Sequence, residues 1–254
     1  MRREQVIELL HGALEPLAWV NAAWLGGSDA FGRADELSDV DLQVDVDDGQ
    51  VAAPFGALEA AMAGASPIVA RLVMPMPTWH GHAQRFYRLR DTSQFTAVDV
   101  VVFERSDPRR YYNQTERHGS PLVLFDRAGV VHPAPLDQEE LRATLEREVN
   151  GIRDRLPFTL PLVAKEVGRG DALAALAAYH RHVLRPLVTL HRVRHTPARH
   201  DFGARYTRDD LPDDVQAMLR ELSFVADLDD LAAKLPKAEQ LLRELLGNLL
   251  RSRP

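Results

Sequence analysis

The sequence predicts an α+β chain: a mixed β-sheet with flanking helices over residues 1–135, followed by an α-helical bundle over residues 136–254. Three observations carry this. Val40 to Val46 alternates apolar and polar residues without a break, the period of a β-strand. Phe95 to Phe103 is a valine-rich apolar run interrupted by one acid, Asp99. After Asp137 the apolar residues recur at helical spacing almost to the end. At 254 residues, 45% of them hydrophobic, the chain suits one large domain or two small ones.

Taken in order, Gln5 to Leu14 places Val6, Leu9, Leu10, Ala13 and Leu14 on one helical face, and Pro16 closes it. Leu17 to Leu25 is an apolar run short enough for a buried strand, ending at Gly26-Gly27. In Val40–Val46 the valines and Leu42 share one face, and Asp41, Gln43 and Asp45 the other, with Asp39 just ahead of them. Asp48 is placed to cap a helix from Gln50 to about Ala63. Ile68–Met74, Gln84–Arg90, Phe95–Phe103 and Leu122–Phe125 read as further strands.

Pro133, Pro135 and Asp137 mark the boundary, and Asp137 caps a helix over Gln138–Arg155. Pro157 and Pro161 are expected to break the chain before a short helix over Leu162–Val167. Asp171 caps a long helix to about His195, with Leu173, Leu176, Ala177, Val183, Leu184, Leu187 and Leu190 on its apolar side and a kink at Pro186. A loop over Thr196–Pro212 and helices over Asp213–Leu222 and Leu228–Leu250 complete the pattern.

Composition narrows the function. There are no cysteines, so disulfides and thiolate metal sites are excluded, which fits a reducing cytoplasm. No apolar run approaches the roughly 18 residues of a membrane span, and the N-terminus is amphipathic rather than signal-like. With 31 basic and 37 acidic residues the formal charge is −6, the wrong sign for a general nucleic-acid binder.

The stretch that carries chemistry is Gly26-Gly27-Ser28, Gly32, and then Ser38-Asp39-Val40-Asp41-Leu42. Residues two apart on a strand face the same way, so Asp39 and Asp41 set two carboxylates side by side. Such a pair repels itself unless a cation sits between, and a hard divalent metal bound through oxygen suits it. The glycine-serine turn could offer backbone N–H groups to a phosphate. Asp99 is costly in an apolar strand unless paired or metal-bound. Its bland alternative is a salt bridge to Arg88 or Arg90; that of Asp39 and Asp41 is a solvated strand edge in a stretch that also holds Asp35, Glu36, Asp45, Asp47 and Asp48.

In this order and spacing, eleven residues from Ser28 to Asp39, the motif resembles the nucleotidyltransferase signature of the DNA polymerase β superfamily. The helical second half resembles that of antibiotic nucleotidyltransferases, aminoglycoside adenylyltransferases in particular. The resemblance implies a nucleotidyltransferase-type domain and a helical acceptor-binding domain. It implies Mg²⁺, with two ions, bound by Asp39, Asp41 and Asp99. Asp99 binds the second ion or acts as base. Gly27 and Ser28 hold the β/γ phosphates of ATP or another NTP, and Arg33 and Lys165 are further nucleotide contacts; as solvated surface residues both need no such role. The implied reaction transfers AMP to a hydroxyl of a small acceptor such as an aminoglycoside, an antibiotic-resistance chemistry, with no nucleic acid or membrane as partner. Two alternatives stay open: AMP transfer to a protein, as by antitoxin-like nucleotidyltransferases, and a non-catalytic nucleotide-binding regulator.

Several secondary candidates remain. His191 and His195 lie four apart on a helix face, a metal-compatible spacing, or else part of a basic surface. Arg185 and His191 have a spacing that resembles helical RNase toxins. Asp91, Glu104 and Glu116 are spare acids. The loop from His200 to Tyr206 mixes aromatic and charged residues, suited to lining a cleft or to packing between helices.

Overall fold

The structure, a computed structural model, describes residues 1–108, 114–132 and 134–251; Pro133, read as part of the boundary, lies outside the described residues. The chain divides into two compact units, Met1–Leu136 and Asp137–Pro254. The fold is α+β: a mixed six-stranded sheet with flanking helices, then an all-helical region. Among the described residues no helix is long and apolar enough to cross a membrane.

The first unit runs α1 (Arg3–Leu14), β1 (Val20–Leu25), α2 (Gly27–Ala30), β2 (Val40–Val46), α3 (Ala53–Ala65), β3 (Ile68–Val73), β4 (Ala83–Leu89), β5 (Val98–Glu104), α4 (Thr115–His118) and β6 (Leu122–Asp126). The strand order is β3-β4-β5-β2-β1-β6. Among the described residues β2 and β5 pair in parallel, and the other strand neighbours are antiparallel. The parallel pair needs a long crossover, and α3, β3 and β4 supply it.

The alternation in β2 sorts its side chains onto two faces. Val40, Leu42, Val44 and Val46 join Val98, Val100 and Val102 of β5, covered by Val6, Leu10 and Leu14 of α1 and Phe55, Leu58 and Met62 of α3. The opposite face holds a smaller cluster, including Trp24, Val101 and Phe103. A fully buried Leu, Val or Phe contributes about 1.5–3 kcal/mol, so a one-residue slip of β2 would lose several such contributions and bury acids in their place. That cost fixes the register of the functional face.

The predicted cap of α3 is corrected. Its N-cap is Ala52, with no side-chain cap, and Pro54 sits in the first turn with φ preset for a helix. Asp48 instead accepts from the Ser106 N–H at 3.0 Å.

The second unit has α5 (Gln138–Gly168), α6 (Ala172–Tyr179), a π-helical turn (His180–Leu184), α7 (Arg185–His195), α8 (Thr207–Asp210), α9 (Asp213–Ser223) and α10 (Leu228–Arg251). Asp137 caps α5 by accepting from the N–H groups of Glu139 and Glu140, both at 2.9 Å. The break expected at Pro157 and Pro161 does not occur: α5 continues through both to Gly168. The two prolines are four apart and exposed, on a stripe with exposed Arg153. The carbonyls they leave unbonded lie on the wet side of the helix, while Ile152, Leu156, Leu160 and Val163 hold the other side in the core.

The apolar face assigned to the next helix is also corrected. Leu173 is 82% exposed, and Ala175 and Tyr179 are fully buried in its place. The π turn inserts one residue per turn, so the face read backwards from Leu187 and Leu190 arrives out of phase. The same turn leaves Pro186 in the first turn of α7, where its missing N–H costs little.

Arg192, with no exposed surface, anchors the following loop. It pairs with Asp210 at 2.9 Å and donates to the carbonyls of Gly203 at 2.7 Å and Arg205. Arg199 supplies a second ion pair to Asp210 at 2.7 Å. These bonds tie down the backbone of residues 200–206, which is a packing role for that loop.

Candidate active site

Strand register assembles the acids. Asp41 of β2 stands directly across from Asp99 of β5, on the sheet face opposite α1 and α3. Asp39 lies one step before β2, exposed, and its Oδ1 accepts from the Ala97 N–H at 2.8 Å, closing the entrance to the β2–β5 pair. Its Oδ2 has no partner among the described residues. The three acids share one end of the sheet but form no closed cage. Among the described residues no group of three or more His, Cys, Asp or Glu side chains is spaced to hold a metal.

Asp99 does not take the arginine partner considered above. Phe86 of β4 stands opposite it, with Arg88 further along. Gln84 reaches it instead, its Nε2 donating to both carboxylate oxygens at 2.9 Å. The Gln84 Oε1 lies 3.3 Å from His80 Nε2, so that His tautomer with a proton there fixes the amide. Burial pushes the Asp99 carboxyl up to about 7; the Gln84 hydrogen bonds oppose this, and the charges of Asp41 and Asp39 add to it. A carboxyl poised near neutrality suits proton transfer.

The glycine turn is built against Asp41. The Gly26 N–H donates to the Asp41 carbonyl at 2.9 Å. Gly27 has φ +53, and a Cβ added there would lie 1.7 Å from Asp41 Oδ2. Only glycine lets the backbone pass this close to the carboxylate. Gly27→Ala is therefore expected to move the Asp41 side chain and strain the turn by about 1–3 kcal/mol. A crystal structure of the variant checks this; an unmoved Asp41 would show that the contact is loose.

Ser28 is half-buried at the start of α2. Its carbonyl accepts from the Arg33 N–H at 2.9 Å, and the Arg33 guanidinium lies over the Phe31 ring at 5.1 Å. Lys165 stands exposed on α5 of the second unit. Its neighbour Arg169 pairs with Glu166 at 3.0 Å.

Sequence reasoning missed Arg3 and Gln84. Arg3 reaches from α1 to the Asp39 carbonyl through Nε at 3.1 Å and pairs with Asp29 of α2, so one guanidinium ties the acid strand to the glycine turn. Gln84 belongs to the polar face of β4, but its partner depends on a register that no local pattern announces.

The other acids of the region are committed elsewhere. Asp45, fully buried, accepts from Asn21 at 3.0 Å. Asp35 accepts from the Leu37 N–H and the Ser38 hydroxyl, and Glu104 from the Gly49 N–H. Asp91 accepts from the Ser66 hydroxyl. Glu116 lies on α4.

His191 and His195 stack, with ring centroids 6.0 Å apart, and gain no third ligand among the described residues. Burial, with the charges of His195 and Arg194, pushes His191 down to about 4, so it is neutral at pH 7. Arg185 lines one cavity of this unit and His191 another.

No protein-family model matches this chain, and no curated protein matches it. Among solved structures, a nucleotidyltransferase-like protein from Exiguobacterium sibiricum is 14% identical, with a TM-score of 0.32, covering 98% of this chain and 80% of that one. JHP933 from Helicobacter pylori is 12% identical, with a TM-score of 0.28, covering 98% of this chain and 94% of that one. At such scores the chemistry has to be read from the site itself.

Proposed function

We propose that this chain is a metal-dependent nucleotidyltransferase that moves AMP from ATP to a hydroxyl of a small acceptor. The observation that carries the reading is the Asp41–Asp99 register pair, with Asp39 beside it and the Gly27 backbone crossing the Asp41 carboxylate.

The donors suit Mg²⁺. They are hard carboxylate oxygens, and burial, with the charges of Asp41 and Asp39 added to it, lifts Asp99. Mg²⁺ takes one or two protein carboxylates and completes its shell with water and substrate phosphate, so a three-residue cage is not required. Asp41 and the open Oδ2 of Asp39 would hold the ion, and a second ion would need Asp99 as a ligand. When bound, the metal neutralises charge on the triphosphate and the leaving pyrophosphate.

The chain's own residues supply the rest. Backbone N–H groups at Gly27 and Ser28 face the phosphates, with Arg33 as a further contact. Asp99, steadied by Gln84, takes the proton of the acceptor hydroxyl as its oxygen bonds to the α-phosphorus and pyrophosphate departs. The raised pKa of Asp99 suits it to take up a proton near pH 7. A cationic aminoglycoside is the acceptor class implied by the resemblance. Lys165 belongs to the other unit and enters this reading only through the resemblance.

Titration calorimetry with ATP tests the binding half. ATP is expected to bind in Mg²⁺ and to lose most of its affinity in EDTA. Equal affinity in both would remove the metal from the account.

A further inference from the structure

The helical unit holds a cleft of about 270 Å³ whose charge runs against that of the whole chain. Arg155 of α5, Arg181 of the π turn and Arg185 at the start of α7 all line it. Thr189 adds a hydroxyl, and Glu148 is the one acid in the lining. In a chain with 37 acidic and 31 basic residues, three arginines and one acid line this cleft.

Several arginines of the chain are already committed to carboxylates. Arg71 and Arg85 are paired to Glu59, and Arg192 and Arg199 to Asp210. Arg155, Arg181 and Arg185 take part in no ion pair and donate no side-chain hydrogen bond among the described residues. All three are exposed and able to meet a ligand. The π turn, a geometry frequent at functional sites, carries Arg181 and His182 to the cleft. Burial and the charge of Arg181 push His182 down.

We propose that this cleft binds a compact phosphate-bearing small molecule, held by Arg155, Arg181 and Arg185. Guanidinium groups present paired N–H donors that match phosphate oxygens two at a time. The volume lies just below the roughly 300–1,000 Å³ of common small-molecule clefts, which favours a diphosphate or a small phosphate ester over a polymer. A cationic aminoglycoside would be repelled here. The proposal stands on the helical unit alone and takes nothing from the nucleotidyl-transfer reading.

The probe is inorganic pyrophosphate, titrated into the full chain in EDTA and at constant ionic strength. Saturable binding to one site is expected. The double variant Arg181→Ala/Arg185→Ala should weaken it by roughly tenfold or more, as should Arg155→Gln on the facing helix. The double variant Arg181→Lys/Arg185→Lys should keep part of the affinity, since the charge stays without the paired geometry. Asp41→Asn should leave this binding unchanged, which separates the cleft from the nucleotide site. No binding by the wild type, or binding indifferent to the arginine variants, would overturn the proposal.

Discussion

Asp41→Asn is expected to reduce nucleotidyl transfer by a factor on the order of 10²–10³ while the protein stays folded. Removing one group that stabilises transition-state charge has an effect of that size. The side chain keeps its shape, so the register with Asp99 survives. The stability change is expected to be small or favourable, because one of two facing charges disappears and Asp99 is relieved of a neighbour that lifts its pKa. Turnover and thermal unfolding measured on the same preparation separate the two effects. Unchanged turnover would remove Asp41 from the mechanism. Lost turnover accompanied by a large fall in melting temperature would make Asp41 a structural residue.

Arg192→Ala is the opposite case. Arg192 has no exposed surface and joins Asp210 to the carbonyls of residues 199, 203 and 205. Its removal leaves those acceptors buried and weakens the pairing of a buried carboxylate. A loss of about 3–5 kcal/mol is expected, toward the lower end because Arg199 still reaches Asp210. Urea unfolding checks this, with the change confined to the transition of the second unit. A loss under about 1 kcal/mol would mean that water replaces the guanidinium at little cost. Magnesium-dependent ATP binding by the first unit should persist in this variant, which distinguishes a damaged scaffold from a damaged site.

The strands were legible because period and composition agree with burial. The alternation in Val40–Val46 and the valine run before Phe103 both follow from a sheet with one face on helices and the other partly covered. The helices of the second half were legible as segments, but their phase and breaks were not. A proline weakens a helix locally, yet α5 runs through two of them because their freed carbonyls face solvent while Leu156 and Leu160 pack inward. The π turn is a one-residue event with no periodic signature, and it moved the buried face from Leu173 to Ala175 and Tyr179. At the site, spacing along one strand put Asp39 and Asp41 together in the sequence. Asp99 needed the β2–β5 register, and Gln84 the β4–β5 register, and both are set by the core rather than by neighbours in the chain. Arg3 reaches the site from a helix 36 residues before Asp39, a contact that only the packing of α1 creates.

We propose that the Asp39, Asp41 and Asp99 face transfers a nucleotide with the help of a divalent metal. Pyrophosphate release from ATP, followed in Mg²⁺ and in EDTA with a panel of small hydroxylated acceptors that includes aminoglycosides, tests it most directly. Release is expected to require both Mg²⁺ and an acceptor and to fall to near background in Asp41→Asn. ATP bound tightly but never turned over with any acceptor, or release that persists undiminished in the variant, would contradict it.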